Sequence, residues 1–275
     1  MKNVGADPIR LFVSDVDGTL VRGDKTLSPA TIAAFGRLRA AGVQATLISA
    51  RPPSGMLGLA KALDIRGPLG AFNGGVILRA DGTIDSGHRL DPAVVDSTLE
   101  RLEQAEVDIW LFAGGLWYAR TDVGLRVPHE RLAADTEPTL VADFAGIGDV
   151  DKIVGISEDP AALERLEGMV KTAIGGAATV ARSQPYFLDI TAPQANKGDG
   201  VAAIAQAAGV PLSQVAVIGD MANDLPMFAQ AGLSIAMGQA PEAVRAAATF
   251  VTTSNDEDGV AAAIDRYVLR AAAAS

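Results

Sequence analysis

Ile9-Arg10-Leu11-Phe12-Val13-Ser14-Asp15-Val16-Asp17-Gly18-Thr19-Leu20 joins a short apolar run to an acidic turn. A run of that length ending in charge reads as a buried parallel strand with its polar residues at the carboxyl end. A helix follows. Ser28 can cap it, Pro29 suits its first turn, Ile32, Phe35 and Leu38 recur at helical spacing, and Gly42 stands where helices commonly stop. Val43–Ile48 then reads as a second buried strand, so the unit is a parallel crossover and the fold class is α/β with a doubly wound, Rossmann-like parallel sheet. The same grammar returns near the other end. Helices are expected at Val201–Ala208, Leu225–Ala231 and Ala240–Ala247, strands at Val215–Ile218 and Ser234–Met237, and a closing helix over Asp256–Leu269. Ala271–Ser275 is of low complexity and is expected to fray.

Between the two halves the pattern changes. Asp81-Gly82 and Gly114-Gly115 each separate two apolar runs, as hairpin turns do, and hairpins mean antiparallel strands. Asp91-Pro92 and Asp159-Pro160 look like helix starts, and strands are expected at Lys152–Ser157, Ala177–Ala181 and Tyr186–Thr191. The reading is an α+β domain over 84–189 inserted into a core made of 1–83 and 190–275. Trp110 and Trp117, on the two arms of one hairpin, read as packing residues, and His88 and His129 have no partner that the sequence identifies.

Composition narrows the chemistry. The 275 residues include no cysteine and two histidines, which removes thiol nucleophiles, iron–sulfur clusters and cysteine-ligated zinc. A net charge of −10 with no basic run argues against nucleic acid or an anionic membrane surface as partner. The longest uncharged stretch, Val201–Gly219, is interrupted by Gly209 and Pro211 and reads as helix, turn and strand rather than a membrane span. Met1–Arg10 offers no export signal, so a soluble, cytoplasmic protein is expected.

Ligands of open parallel sheets bind outside the carboxyl ends of the strands. Asp15 and Asp17 follow the first strand, Ser49 the second, and Asp220 the strand at Val215–Ile218. Two residues apart on an extended backbone, Asp15 and Asp17 share a side, while Gly18 permits the tight turn after them. Close carboxylates share a proton or bind a cation, and with Asp220 they form an all-oxygen site suited to Mg²⁺. Lys197, at the start of a helix, could face an anion. These parts suit phosphoryl transfer.

Asp15-Val16-Asp17-Gly18-Thr19-Leu20, Ser49, Asn196-Lys197-Gly198 and Gly219-Asp220-Met221-Ala222-Asn223-Asp224 resemble the four ordered motifs of the haloacid dehalogenase superfamily of phosphatases. An α+β insert between the second and third motifs resembles the Cof-type subclass, IIB, which includes sugar phosphatases, with Leu188-Asp189-Ile190-Thr191 resembling its cap exit. The resemblance implies a Mg²⁺-dependent phosphatase acting on a small phosphorylated metabolite, a sugar phosphate in the leading reading, beneath a cap formed by the insert. It makes Asp15 the nucleophile, Asp17 the acid and base with a pKa nearer neutrality than a free aspartate's, and Ser49 and Lys197 the phosphate cradle. The metal would be held by the Asp15 carboxylate, the Asp17 backbone carbonyl and Asp220, with Asp224 orienting Lys197 or a metal-bound water. Arg51, Asn73 and Asn223 are placed near the substrate. Two positions depart from the usual motifs: Ala50, where glycine is usual, and Met221, where asparagine is frequent. A phosphomutase of the same fold and a non-catalytic phosphometabolite-binding protein are the alternatives, and the oligomeric state is open.

Overall fold

The computed structural model describes residues 8–269. The expected fraying of Ala271–Ser275 and most of the N-terminal stretch read for an export signal lie outside them. Five parallel strands run side by side in the order Phe250–Val251, Leu233–Ala236, Val215–Gly219, Leu11–Ser14 and Gln44–Leu47. Alternation along the first strand sorts its side chains. Phe12 enters the core beneath Phe35 and Leu38 of helix Pro29–Ala40, while Leu11 and Val13 join Val201 and Ile204 of helix Lys197–Ala208 on the other face. Both faces are covered, as a parallel sheet requires.

The chain leaves the first strand toward Gln44–Leu47 and later returns on its other side as Val215–Gly219, with Ser14 paired to Leu47 and Ile218. That reversal of direction opens a crevice at the carboxyl ends of the two inner strands. Beyond Gln44–Leu47, an Ile48–Gly70 bridge leads to a small antiparallel sheet of Leu69–Ala71, Val76–Leu78 and Ile84–Gly87.

The inserted module is a six-stranded sheet in the order Thr179–Gln184, Phe187–Thr191, Val150–Ile156, Asp108–Ala113, Leu116–Ala119 and Thr139–Leu140. Helices Pro92–Gln104 and Pro160–Ile174, capped by Asp91 and Asp159, cover one face. The other face carries Trp110, Phe112, Trp117, Val154 and Phe187 and packs toward Phe72 of the core. Trp110 and Trp117 are therefore packing residues, with ring centroids 5.0 Å apart. Two strands fall at the expected limits of the insert: Ile84–Gly87, just inside the first, pairs with the small sheet, and Phe187–Thr191 runs past residue 189 within the large one.

Three helical segments differ from expectation. Asp256–Leu269 is not continuous, because Asp258 takes a left-handed φ of 58° that separates the turn Asn255–Glu257 from helix Gly259–Ala263, which continues as a π-helical turn at Ile264–Val268. Ser54–Ala62 and Val127–Ala134 are helices that periodicity does not announce: the first contains Gly55 and Gly58, and the second is eight residues long with exposed Leu132. They support each other, with Ser54 Oγ donating to the Ala134 carbonyl at 2.5 Å. Among the described residues no helix is long and apolar enough to cross a membrane.

One close approach fixes the helix that begins at Lys197. A Cβ on Gly200 would lie 2.7 Å from Gly74 Cα, and one on Gly74 would lie 2.5 Å from Gly200 Cα. Alanine in a helix normally gains about 1 kcal/mol over glycine. At this contact the overlap dominates, so Gly200→Ala is expected to destabilise the protein by about 1–3 kcal/mol, a sign that urea denaturation reads directly.

Candidate active site

The crevice collects its side chains from four chain segments. Asp15 continues the first strand, its N–H donating to Ile218 O at 3.0 Å, and Asp220 leaves the neighbouring strand alongside it. Gly18 turns the chain away at φ 78°, where a side chain would strike the Asp220 carboxylate. Lys197 opens helix Lys197–Ala208, whose N-terminus Asn196 caps by accepting from Asp199 N. Its ammonium donates to Asp15 Oδ1 at 2.5 Å and to Asp224 Oδ1 at 2.6 Å, and the residue is 1% exposed. The other oxygen of Asp224 accepts from the Asp220 and Met221 amides at 2.8 and 2.9 Å. Thr19 Oγ1 donates to Asp220 Oδ1 at 3.1 Å.

Charge at this point does not balance. Asp15, Asp220 and Asp224 each bring a carboxylate oxygen within 4.8 Å of the others, against one ammonium. Burial and the neighbouring carboxylates push Asp220 well above the ordinary range and raise Asp15 too, despite Lys197. Burial works against the Lys197 ammonium, but Asp15 and Asp224 more than compensate and strengthen its hold on the proton. A buried, all-oxygen, net-negative cluster fits a hard divalent cation, which would relieve the repulsion. The structure thus brings Asp224 into the carboxylate cluster with Asp15 and Asp220.

Asp17 turns its side chain elsewhere. Arg51 holds it with two hydrogen bonds, Nε to Oδ2 at 2.7 Å and Nη2 to Oδ1 at 2.8 Å, and Lys25 Nζ adds a third at 2.5 Å. Burial raises the Asp17 carboxyl, but Arg51 and Lys25 outweigh it and hold the group well below the usual carboxylate range. The resemblance implies a pKa nearer neutrality for the acid and base; in this state two cations keep Asp17 ionised.

The remaining expected residues gather at the same place. Ser49 is buried, and its Oγ accepts from Arg51 N at 3.2 Å while its carbonyl accepts from Asn73 N at 2.7 Å. Asn73, at φ 59°, accepts at Oδ1 from Asn223 Nδ2, 3.2 Å away. Ala50 faces the cavity with Ser49 and Met221, and its carbonyl takes a hydrogen bond of 2.9 Å from Lys152 Nζ of the insert. The insert closes the cavity with His129, Glu130, Lys152, Ser183 and Phe187.

Lys25, Glu130, Lys152 and His129 were not singled out as site residues from the sequence. A lysine inside the apolar run Val150–Ile156 is a signal that could have found Lys152, since a buried strand position rarely carries an unpaired charge. The others sit in polar stretches, Arg22-Gly23-Asp24-Lys25 and His129-Glu130-Arg131, that look like any solvated surface.

The family model described as haloacid dehalogenase-like hydrolase matches residues 12–264. The chain belongs to the haloacid dehalogenase-like hydrolases. It is similar to a Haemophilus influenzae protein with a provisional phosphatase name, 31% identical over 90% of this chain and 94% of that one. A haloacid dehalogenase-like hydrolase from Bacteroides thetaiotaomicron has the same fold, with a TM-score of 0.81, 30% identity and coverage of 94% of this chain and 99% of that one. The fold is also that of a subclass IIB sugar phosphatase of the superfamily, with a TM-score of 0.82 and 24% identity over 94% of this chain and 98% of the other. As a haloacid dehalogenase-like hydrolase of this Cof-type group, the chain is a phosphoric monoester hydrolase.

Proposed function

We propose that this hydrolase is a Mg²⁺-dependent phosphatase of a small phosphorylated metabolite, a sugar phosphate, working through an aspartyl-phosphate on Asp15 beneath a cap formed by residues 84–189. The observation that carries the reading is Asp15 itself. It sits at the sheet's switch point facing the cavity, with Lys197 on Oδ1 and no hydrogen-bond partner on Oδ2 among the described residues. The fold shared with a sugar phosphatase supports the substrate class.

Asp15 Oδ2 attacks phosphorus, the bond from phosphorus to the leaving oxygen breaks, and Asp17 supplies the proton that oxygen needs. A phosphoryl group brings charged oxygens that compete with Asp17 for Arg51 and Lys25. As they turn to the substrate, burial becomes the dominant influence on Asp17 and raises its carboxyl toward proton donation. Asp17 then takes a proton from the water that attacks phosphorus and releases Asp15. Ser49 and Lys197 steady the equatorial oxygens, where charge resides in the transition state. Asp15, Asp220 and the Asp17 carbonyl would hold the metal, with Asp224 beside it, and the ion would neutralise charge between phosphate and nucleophile.

Release of inorganic phosphate from a panel of sugar and other metabolite phosphates, with Mg²⁺ and with EDTA, tests this reading. Release only with Mg²⁺ is expected; an isomeric phosphate product without free phosphate would replace hydrolysis by mutase chemistry. The cation should also stabilise the fold, because it binds the native cluster and not the unfolded chain. At a hundredfold excess over its dissociation constant the gain is about 2.7 kcal/mol, so Mg²⁺ is expected to raise Tm by several degrees and EDTA to reverse the shift in a thermal melt.

A further inference from the structure

Helix Val127–Ala134 places one carboxylate in the wall of the cavity with no partner among the described residues. Glu130 is 6% exposed, lines the same cavity as Asp15 and Asp17, and makes no hydrogen bond or ion pair among the described residues. The cations around it are committed elsewhere: Arg51 and Lys25 to Asp17, and Lys152 to the Ala50 carbonyl, with the buried Asp189 3.7 Å away. Burial pushes the Glu130 carboxyl up to about 7, so its surroundings accommodate the charged form poorly. The position is held rigidly. The helix carrying Glu130 rests on helix Ser54–Ala62, where Gly55 lies against the Ala133 carbonyl and Ser54 bonds to the Ala134 carbonyl. A fixed, buried, unpartnered acceptor invites donors from a ligand.

We propose that Glu130 is a specificity-determining residue of the leaving-group subsite, accepting a hydrogen bond from a hydroxyl of the alcohol that departs and so favouring polyhydroxylated substrates. The assignment rests on the phosphatase reading above. Ser183 and Gln184, lining the same cavity, supply further hydroxyl and amide groups of the kind that neighbouring hydroxyls engage. A leaving group without hydroxyls leaves Glu130 unsatisfied, and the difference between the two substrates is its contribution.

The test compares kcat and KM of wild type, Glu130→Ala and Glu130→Gln on alditol and aldose phosphates and on p-nitrophenyl phosphate, whose leaving group has no second hydroxyl. Glu130→Ala is expected to lose about tenfold to a hundredfold more kcat/KM on the polyhydroxylated substrates than on p-nitrophenyl phosphate, the worth of one hydrogen bond to a charged group. Most of that loss should fall in KM. Glu130→Gln keeps an acceptor oxygen of the same shape and is expected to recover most of it. Equal losses on both kinds of substrate, or a glutamine variant as impaired as the alanine one, overturn the proposal. A wild type that hydrolyses p-nitrophenyl phosphate but no polyhydroxylated phosphate also overturns it and leaves the hydrolase reading standing, whereas a wild type that hydrolyses nothing removes that reading itself.

Discussion

Asp15→Asn is expected to reduce phosphate release by about four orders of magnitude or more, since the acyl-phosphate cannot form without the carboxylate and a nucleophile removed from a concerted site takes most of the rate with it. The fold should survive. Burial and neighbouring carboxylates raise the Asp15 pKa, so ionising this group at neutral pH costs stability, and the neutral amide removes that cost while Asp224 still holds Lys197. A thermal melt should therefore show a Tm no lower than wild type. Substantial phosphate release by Asp15→Asn would rule out the assigned nucleophile, and a collapsed melt would mean that Asp15 is needed to build the site rather than to react in it.

Lys197→Met is the second large effect, and it is expected in stability and activity together. Among the described residues the ammonium is the one cation paired with Asp15 and Asp224, and removing it leaves those carboxylates buried and uncompensated beside Asp220. Breaking a buried pair in this way costs about 3–5 kcal/mol, which urea denaturation would register as a lower midpoint. The double variant Lys197→Met with Asp224→Asn removes one charge of each sign and should regain much of the stability. It should not regain activity, because the phosphate loses its ammonium. Parallel recovery of both would mean that Lys197 acts only through the fold.

The expected strands at the ends of the chain lie close to where they form, because buried parallel strands are short apolar runs stopped by polar residues, and Leu11–Ser14 followed by Asp15 is such a case. The order of the strands is a different matter. Pairing of Leu11–Ser14 with Val215–Gly219 depends on contacts that no local pattern encodes. The carboxylates at strand ends were legible for the same local reason, and the resemblance ordered them. What lay beyond reach was whatever the insert contributes by folding back: Glu130 and Lys152 become cavity residues only when helix Val127–Ala134 lies on Ser54–Ala62 and the large sheet turns its aromatic face to the core. The state of Asp17 escaped similarly. Arg51 was placed near the substrate, but its grip on Asp17 follows from two side chains meeting across the turn, with Lys25 arriving from a loop of unremarkable composition.

The first strand, Leu11–Ser14, pairs on one side with Gln44–Leu47 and on the other with Val215–Gly219, a partner roughly 200 residues later in the chain. During synthesis at about 5–20 residues per second, that partner emerges some 10–40 s after the strand itself. Throughout the interval the nascent chain carries an apolar strand with one unpaired edge, the feature most prone to wrong pairing. The edge is exposed while the chain is still on the ribosome and is covered once Val215–Gly219 pairs with it. The same delay keeps Asp15 and Asp220 apart until the end, so the charge cluster comes together only as the last strands close the sheet.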